Sequence, residues 1–299
     1  MKKELVMNTP NTAMEETNRS LQRREKGEKA KKAVALTFVW IMLLVMYLPI
    51  MYLILYSFTD SKVIGQWNGL NFDCYATLFN GSNVYAQDIW NATWNTVWVA
   101  VVASTLSTVL GTAGAIGMHF LGKKLKAVFN FANEIPIVNA EIVMALSLCI
   151  LFAWLNLPTS AFSLIIGHMV LTIPFVVINV QPKLEQMDPS LYEAAMDLGA
   201  NRAGALFKVM IPDLLPGIFS GFMISMTLSL DDFVITEFTK PSEGMDFQTI
   251  STYVQGTLAK GAIPIQIRSF TTLIFVLIVA VMIGYTIVNN RKAKKNLIL

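Results

Sequence analysis

The chain has 299 residues, 54% of them apolar and only 14% charged, with a mean hydropathy of +0.53 and a formal net charge of +3. That balance is too oily for an ordinary soluble domain and puts most of the chain in a bilayer. The two cysteines, Cys74 and Cys149, belong to no metal or redox motif, and no disulfide between them is expected.

Residues 1–32 are polar and mixed in charge, and read as a disordered cytoplasmic tail that turns helical near the first span. Residues 33–290 read as one membrane domain, and residues 291–299 as a basic cytoplasmic tail. Uncharged runs long enough to cross a bilayer recur at about 33–57, 89–119, 135–155, 161–181, 213–239 and 269–289. The expected fold is all-α, an integral membrane protein with six transmembrane helices. The first span is too long for a signal-peptide core and lacks a small-residue cleavage site, so it is expected to be retained.

Of the 23 basic residues, 19 fall in the inner segments and 4 in the outer ones, which places both termini in the cytoplasm and no basic residue inside a span. The net charge therefore reflects topology, not nucleic-acid binding. The longest loops run to about thirty residues, too short for an independent ATPase fold. Gly117–Lys124 has the glycine and lysine spacing of a phosphate-binding loop. It lacks the following Ser or Thr and sits at a helix end, not between a strand and a helix. Any energy from ATP has to come from a separate subunit.

Acidic residues inside spans carry a stronger signal. Glu141 lies in the third span, and Asp231, Asp232 and Glu237 lie in the fifth. Each costs about 2.5–3.5 kcal/mol at a helix centre on insertion scales. With no Lys or Arg at that depth, these four are the candidate substrate-pathway residues, facing a wet, electronegative cavity that favours a cationic cargo. The residues alone leave structural readings open. Asp231 and Asp232 fit the caps of a broken helix, Glu237 fits the outer interface, and Glu141 fits a bond to a partner subunit.

Two small-residue ladders, Gly217 with Gly221 and Ala103, Ser107, Gly111 and Ala115, suit close helix contact, inside the chain or with a second subunit. Tyr56, Trp67, Tyr75, Trp90, Trp94 and Trp98 suit an interfacial belt, with stacking on passing ammonium groups as the alternative. His119 and His168 are isolated and read as packing or interface residues. No Ser/His/Asp, Cys/His or paired-carboxylate spacing argues for hydrolysis, so the chain alone is not expected to be an enzyme.

The segment Glu193–Pro212 is polar, helix-prone and set between two apolar spans. Ala194, Ala195, Leu198, Ala203, Leu206 and Phe207 give it an apolar stripe at helical spacing. Gly199 offers a bend between two short helices, and Pro212 closes the segment. An amphipathic elbow of this kind is built to dock into a groove on another protein.

Glu193-Ala194-Ala195, then Gly199 after three residues, then Val209 and Ile211-Pro212, is similar to the EAA loop of ABC importer permeases. The strings at Asp188–Ala200, Ser225–Phe238 and Ala140–Phe152 resemble the spermidine/putrescine permease subfamily, and within it the C-type permease subunit. Glu141 stands where an Asp is commoner. The resemblance runs from about residue 33 to 290.

The resemblance implies a type I (MetI-like) importer permease in the cell membrane, with six helices, five of them in a shared core. It also implies a second permease subunit as heterodimer partner, two cytoplasmic ATPase subunits that use ATP and Mg2+, and an extracytoplasmic polyamine-binding protein. No cofactor is bound by this chain itself. The EAA loop, with Glu193, Ala194, Ala195, Asp197, Gly199 and Pro212, would form the coupling helix that seats in the ATPase. The expected function is inward translocation of polyamines by alternating access. An ABC permease for another small solute, and an ion-coupled carrier or channel, stand as alternatives.

Overall fold

The computed structural model describes residues 10–61, 67–80, 84–241, 247–260 and 264–296. In chain order the helices are α1 (Pro10–Tyr56), α2 (Asp73–Asn80), α3 (Val84–His119), α4 (Lys123–Val138), α5 (Glu141–Trp154) and α6 (Ala161–Gln186). They continue with α7 (Pro189–Asp197), α8 (Arg202–Ala205), a π-turn at Leu206–Met210, α9 (Ile211–Asp231), α10 (Val234–Thr239), α11 (Ile250–Ala259) and α12 (Ile265–Asn296). Among the described residues there is no strand, and five helices are long and apolar enough to cross a membrane, or six spans if the bent pair α4 and α5 forms one. The chain divides into two compact units, residues 1–74 with 268–299, and residues 75–267.

In the first unit, the described side chains of α1 between residues 31 and 50 are all exposed. An all-round apolar helix of this kind needs lipid or another subunit as its solvent. The helix starts at Pro10, so residues 10–32 are helical where the sequence pattern suggests a disordered tail; residues 1–9 of that tail lie outside the described residues. The segment is rich in Glu, Gln, Arg, Lys and Ala, and extending a helix already nucleated by the span avoids the initiation penalty. Of the basic C-terminal tail, residues 291–296 continue α12, and residues 297–299 lie outside the described residues.

A second difference concerns Arg268. It belongs to the first turn of α12 and is 1% exposed, so a buried base lies at the start of a span helix. Its Nη1 donates to the carbonyl of Ser61 at 3.1 Å. Nearby Ser57, Thr59 and Ser269 are also buried.

In the second unit α3, α6 and α9 pack mutually. Val176 of α6 is the wedge between the other two. A Cβ added to Gly111 of α3 would lie 2.8 Å from the Val176 side chain, and one added to Gly221 of α9 would lie 3.2 Å from the Val176 backbone. Both small-residue ladders are therefore used inside the chain, where they let the backbones approach. Around this contact Ala115, Val180, Leu184, Met210 and Leu214 close an apolar core.

The run at 135–155 is not one straight span. α4 ends at Val138, residues Asn139 and Ala140 are extended, and α5 leaves at 106°. α4 carries Lys123, Lys124, Lys126 and Glu134 and has no buried residue. It lies on α6 through polar ties: Lys126 to Glu185 at 3.1 Å and Gln181 to Asn130 at 2.9 Å. A helix with that polarity does not continue an apolar span in the same direction.

The fifth span also differs from expectation. It runs from Arg202 through the π-turn to Asp231, breaks at Asp232 and Phe233, and resumes as α10. Pro212 does not close the elbow but sits in the first turn of α9. The π-turn just before it, with the Ile211 amide bonded to the Leu206 carbonyl, widens the helix where a proline ring would otherwise clash.

Candidate functional site

The break in the fifth span gathers three of the four acids singled out in the sequence. Asp231 is the last residue of α9 and is exposed. Glu141 opens α5 and is also exposed, with both Asp231 and Asp232 within Coulombic reach. The helix start suits an acid, because the partial positive charge of the unpaired amides favours it. α5 is held beside α10 by Met144 and Ala145 packing on Ile235. Among the described residues, neither Glu141 nor Asp231 is paired with a base.

Asp232 is different. It is 5% exposed, and its carboxylate caps α10. Oδ1 accepts from the Ile235 amide at 3.2 Å, and Oδ2 accepts from the Thr236 amide and from the Thr236 hydroxyl, each at 2.8 Å. Ser251 of α11 donates to the Asp232 carbonyl at 2.6 Å. This is the capping geometry that the residues left open for the Asp231-Asp232 pair.

His168 of α6 completes the cluster. It is fully buried, with Nδ1 2.8 Å from Ser229 Oγ and Nε2 3.0 Å from Thr236 Oγ1. Thr172, one turn on, donates to the His168 carbonyl at 2.8 Å and bonds Ser107 of α3 at 2.7 Å. The sequence pattern treats His168 as a lone packing residue and misses the cluster. The available signal is Ser229, Asp232 and Thr236 at spacings of three and four in an otherwise apolar stretch.

Glu237 stands apart from this group. It is exposed and paired with Lys240 at 2.8 Å, so it is not an uncompensated acid. The sequence reading assigns Lys240 to a loop, but the two residues share one turn at the end of α10. Among the described residues, no three His, Cys, Asp or Glu side chains converge closely enough to hold a metal ion.

The elbow lies at the other end of this unit. Asp188 caps α7 by accepting the Ser190 amide at 2.9 Å, and Pro189 follows in the first turn, where its missing N–H is no loss. The hydrogen bonds from Ser190 hold the Asp188 carboxyl below the usual carboxylate range. α7 ends in a complete Schellman motif. The Ala200 amide bonds the Ala195 carbonyl at 3.0 Å, and the Gly199 amide bonds the Met196 carbonyl at 2.9 Å. Gly199 adopts φ +90°, a conformation that side-chain-bearing residues resist. Asn201 then caps α8 by accepting the Gly204 amide at 2.7 Å.

Tyr192 and Leu206 anchor the elbow against the core, and Tyr192 also packs on Phe120 at a ring separation of 5.7 Å. The opposite face is bare. Glu193, Ala194, Asp197, Gly199 and Pro212 are exposed, Ala195 is half-buried, and Leu198 is 90% exposed. Exposed apolar residues beside acids, on a rigidly capped helix, form a surface suited to docking.

Residues 107–294, more than half of the chain, match a family profile described as binding-protein-dependent transport system inner membrane component. The chain is 29% identical over 249 residues to the spermidine/putrescine transport system permease protein PotC of Haemophilus influenzae, covering 82% of this chain and 92% of that protein. It is 30% identical over 236 residues to the putrescine transport system permease protein PotI of Escherichia coli, covering 77% and 81%. In fold it resembles a chain of a bacterial ABC transporter that imports the acidic polysaccharide alginate, with a TM-score of 0.61 at 18% identity, over 88% of this chain and 97% of that one.

Proposed function

The chain belongs to the binding-protein-dependent transport system inner membrane components, permease subunits of ATP-driven importers, and we propose that its cargo is a polyamine, passed inward by alternating access. The observation that carries this reading is the pair of exposed, unpaired carboxylates, Glu141 and Asp231, beside the capped break in the fifth span. Unpaired acids at membrane depth are stable only against water, a cation or a partner group. They attract a multiply charged amine and, spaced apart, hold its ammonium groups one or two at a time. Binding of that kind is weak enough to permit release. Relatives named for spermidine and putrescine transport support the same cargo class.

In this reading Asp232 shapes the site instead of touching cargo, and Glu237, tethered to Lys240, lies toward the outer mouth. Both termini and the elbow face the cytoplasm. An extracytoplasmic binding protein delivers the polyamine, and a second permease supplies the other wall of the path. Two ATPase subunits, using ATP and Mg2+, grip the elbow through Glu193, Ala194, Ala195, Asp197 and Gly199, with Pro212 beyond it at the start of α9. Closure of the ATPase pair moves α7 and rocks the helices between inward and outward access.

Reconstitution of the assembled complex in proteoliposomes tests the cargo. Spermidine uptake should require ATP and this chain, and excess putrescine should compete while an anion such as thiosulfate does not. Uptake of the anion, or spermidine uptake without ATP, would contradict the assignment.

A further inference from the structure

We propose that His168 is a positioning residue whose imidazole, protonated on Nε2, sets the hydrogen-bond direction that holds the break between α9 and α10 and so presents Asp231 to the cargo. The proposal rests on the polyamine reading for its consequence, but not for its chemistry.

The direction follows from counting protons. The Thr236 hydroxyl has one hydrogen, and an ionised carboxylate can only accept, so that hydrogen goes to Asp232 Oδ2 at 2.8 Å. Thr236 Oγ1 is then the acceptor in its 3.0 Å contact with His168, and Nε2 has to carry the hydrogen. With the ring neutral, Nδ1 is bare and takes the Ser229 hydroxyl hydrogen at 2.8 Å. His168 does not reach the carboxylate itself: Nε2 and Oδ2 are 3.7 Å apart, too long for a hydrogen bond. Thr236 is the bridge, and the chain runs one way, Ser229 to His168 to Thr236 to Asp232.

The opposite tautomer would reverse two of these bonds. Nδ1 would donate to Ser229, and Nε2 would take the Thr236 hydrogen away from Asp232. The carboxylate would then keep only backbone donors, and the first turn of α10 would lose the side-chain bond that closes it. The consequence reaches further because α10 carries Ile235 against Met144 and Ala145 of α5, the helix that Glu141 opens. A loosened α10 thus shifts Glu141 relative to Asp231.

The rest of the cluster stiffens the same point. Thr172 spends its hydrogen on the His168 carbonyl and so accepts from Ser107 of α3, while Ser251 of α11 holds the Asp232 carbonyl. A fully satisfied buried network of this kind specifies one arrangement, whereas a partly satisfied one does not.

The test uses the assembled complex in nanodiscs and in proteoliposomes, with spermidine as the probe. Nitrogen-15 labelling of histidine, with the His168 signal assigned by its loss in His168→Gln, reads the ring protonation without reference to cargo. Nε2–H with a bare Nδ1 is expected; a proton on Nδ1, alone or in addition, overturns the proposal. In uptake assays Thr236→Val should lower the rate at least fivefold with unchanged copurification of the subunits, and Thr236→Ser should restore it. Ser229→Ala should lower the rate less, and adding it to Thr236→Val should lower it no further, since both act through one chain. Unchanged uptake in Thr236→Val, losses that multiply in the double variant, or a Thr236→Ser as poor as Thr236→Val would each overturn the positioning role. A wild-type complex that imports no spermidine would remove the polyamine reading and leave the histidine spectrum to decide this one.

Discussion

Asp231 and Asp232 are neighbours in the chain and opposites in the fold. Asp231 ends α9 exposed and, among the described residues, unpaired with a base, while Asp232 is buried and accepts three hydrogen bonds from the first turn of α10. Chemically identical side chains are thereby divided between an open position and a structural cap. Asp232→Ala is expected to leave two amides and a hydroxyl without their acceptor, at about 1–3 kcal/mol for each unsatisfied buried group. It should lower the thermal midpoint of the purified complex, whereas Asp231→Asn should leave the midpoint unchanged.

The contact of Val176 with Gly111 makes a packing prediction. Gly111→Ala puts a methyl 2.8 Å from the Val176 side chain and should destabilise by about 1–3 kcal/mol. Combining it with Val176→Gly should cost less than the sum of the single changes, because only loss of both Val176 Cβ and Cγ1, each 2.8 Å from the added methyl, opens the space the first substitution needs. Additive losses in denaturation of the purified complex would mean that the two helices do not meet at this point.

The elbow can be tested at its turn and on its exposed face. Gly199→Ala forces an alanine into φ +90° and opposes the Schellman turn, at roughly 1 kcal/mol of local strain. Copurification with the ATPase should weaken, or ATP hydrolysis should run without uptake. Leu198→Asp should weaken copurification more strongly, since Leu198 is almost wholly exposed and touches little of its own chain. Normal assembly in both variants would remove the docking role.

Two shifted groups give opposite pH signs. Asp188 has a depressed folded-state pKa, so its capping contribution is full above the ordinary value of 3.8 and is lost as pH falls through the lower folded value. Asp188→Asn, which keeps a capping oxygen, should remove that acid sensitivity of the elbow. Tyr253 of α11 is pushed up to about 12, first by burial and then by Asp88 and Tyr85. Its contribution is full below pH 10.0 and is lost between there and about 12. Tyr253→Phe should flatten the alkaline arm of a stability profile, and an unchanged arm would contradict the shift.

Most of the membrane architecture was legible in the sequence, because uncharged length and helical periodicity are local properties. The elbow was legible for the same reason, through its apolar stripe and the Gly199 bend, whereas the caps Asp188 and Asn201 were not read and Pro212 lies in α9. The bend at Asn139 and Ala140 was not, since Pro136, the breaker nearest to it, lies inside α4 and the polar ties of α4 to α6 come from residues 51 and 59 positions apart. Nor was the difference between exposed Asp231 and buried, hydrogen-bonded Asp232. The buried surroundings of Asp232 come partly from distant segments: His168 of α6 bonds Thr236, and Ser251 of α11 bonds the Asp232 carbonyl. The pairing of Glu237 with Lys240 was within reach of a three-residue spacing rule but was masked by assigning the two residues to a span and a loop.

Cation passage past Asp231 is most directly tested by measuring spermidine uptake per reconstituted complex for wild type and Asp231→Asn, with ATP hydrolysis and subunit copurification recorded on the same preparations. At least a tenfold fall in uptake, equivalent to about 1.4 kcal/mol, is expected with assembly intact. Wild-type uptake by Asp231→Asn would contradict the assignment of this carboxylate to the path.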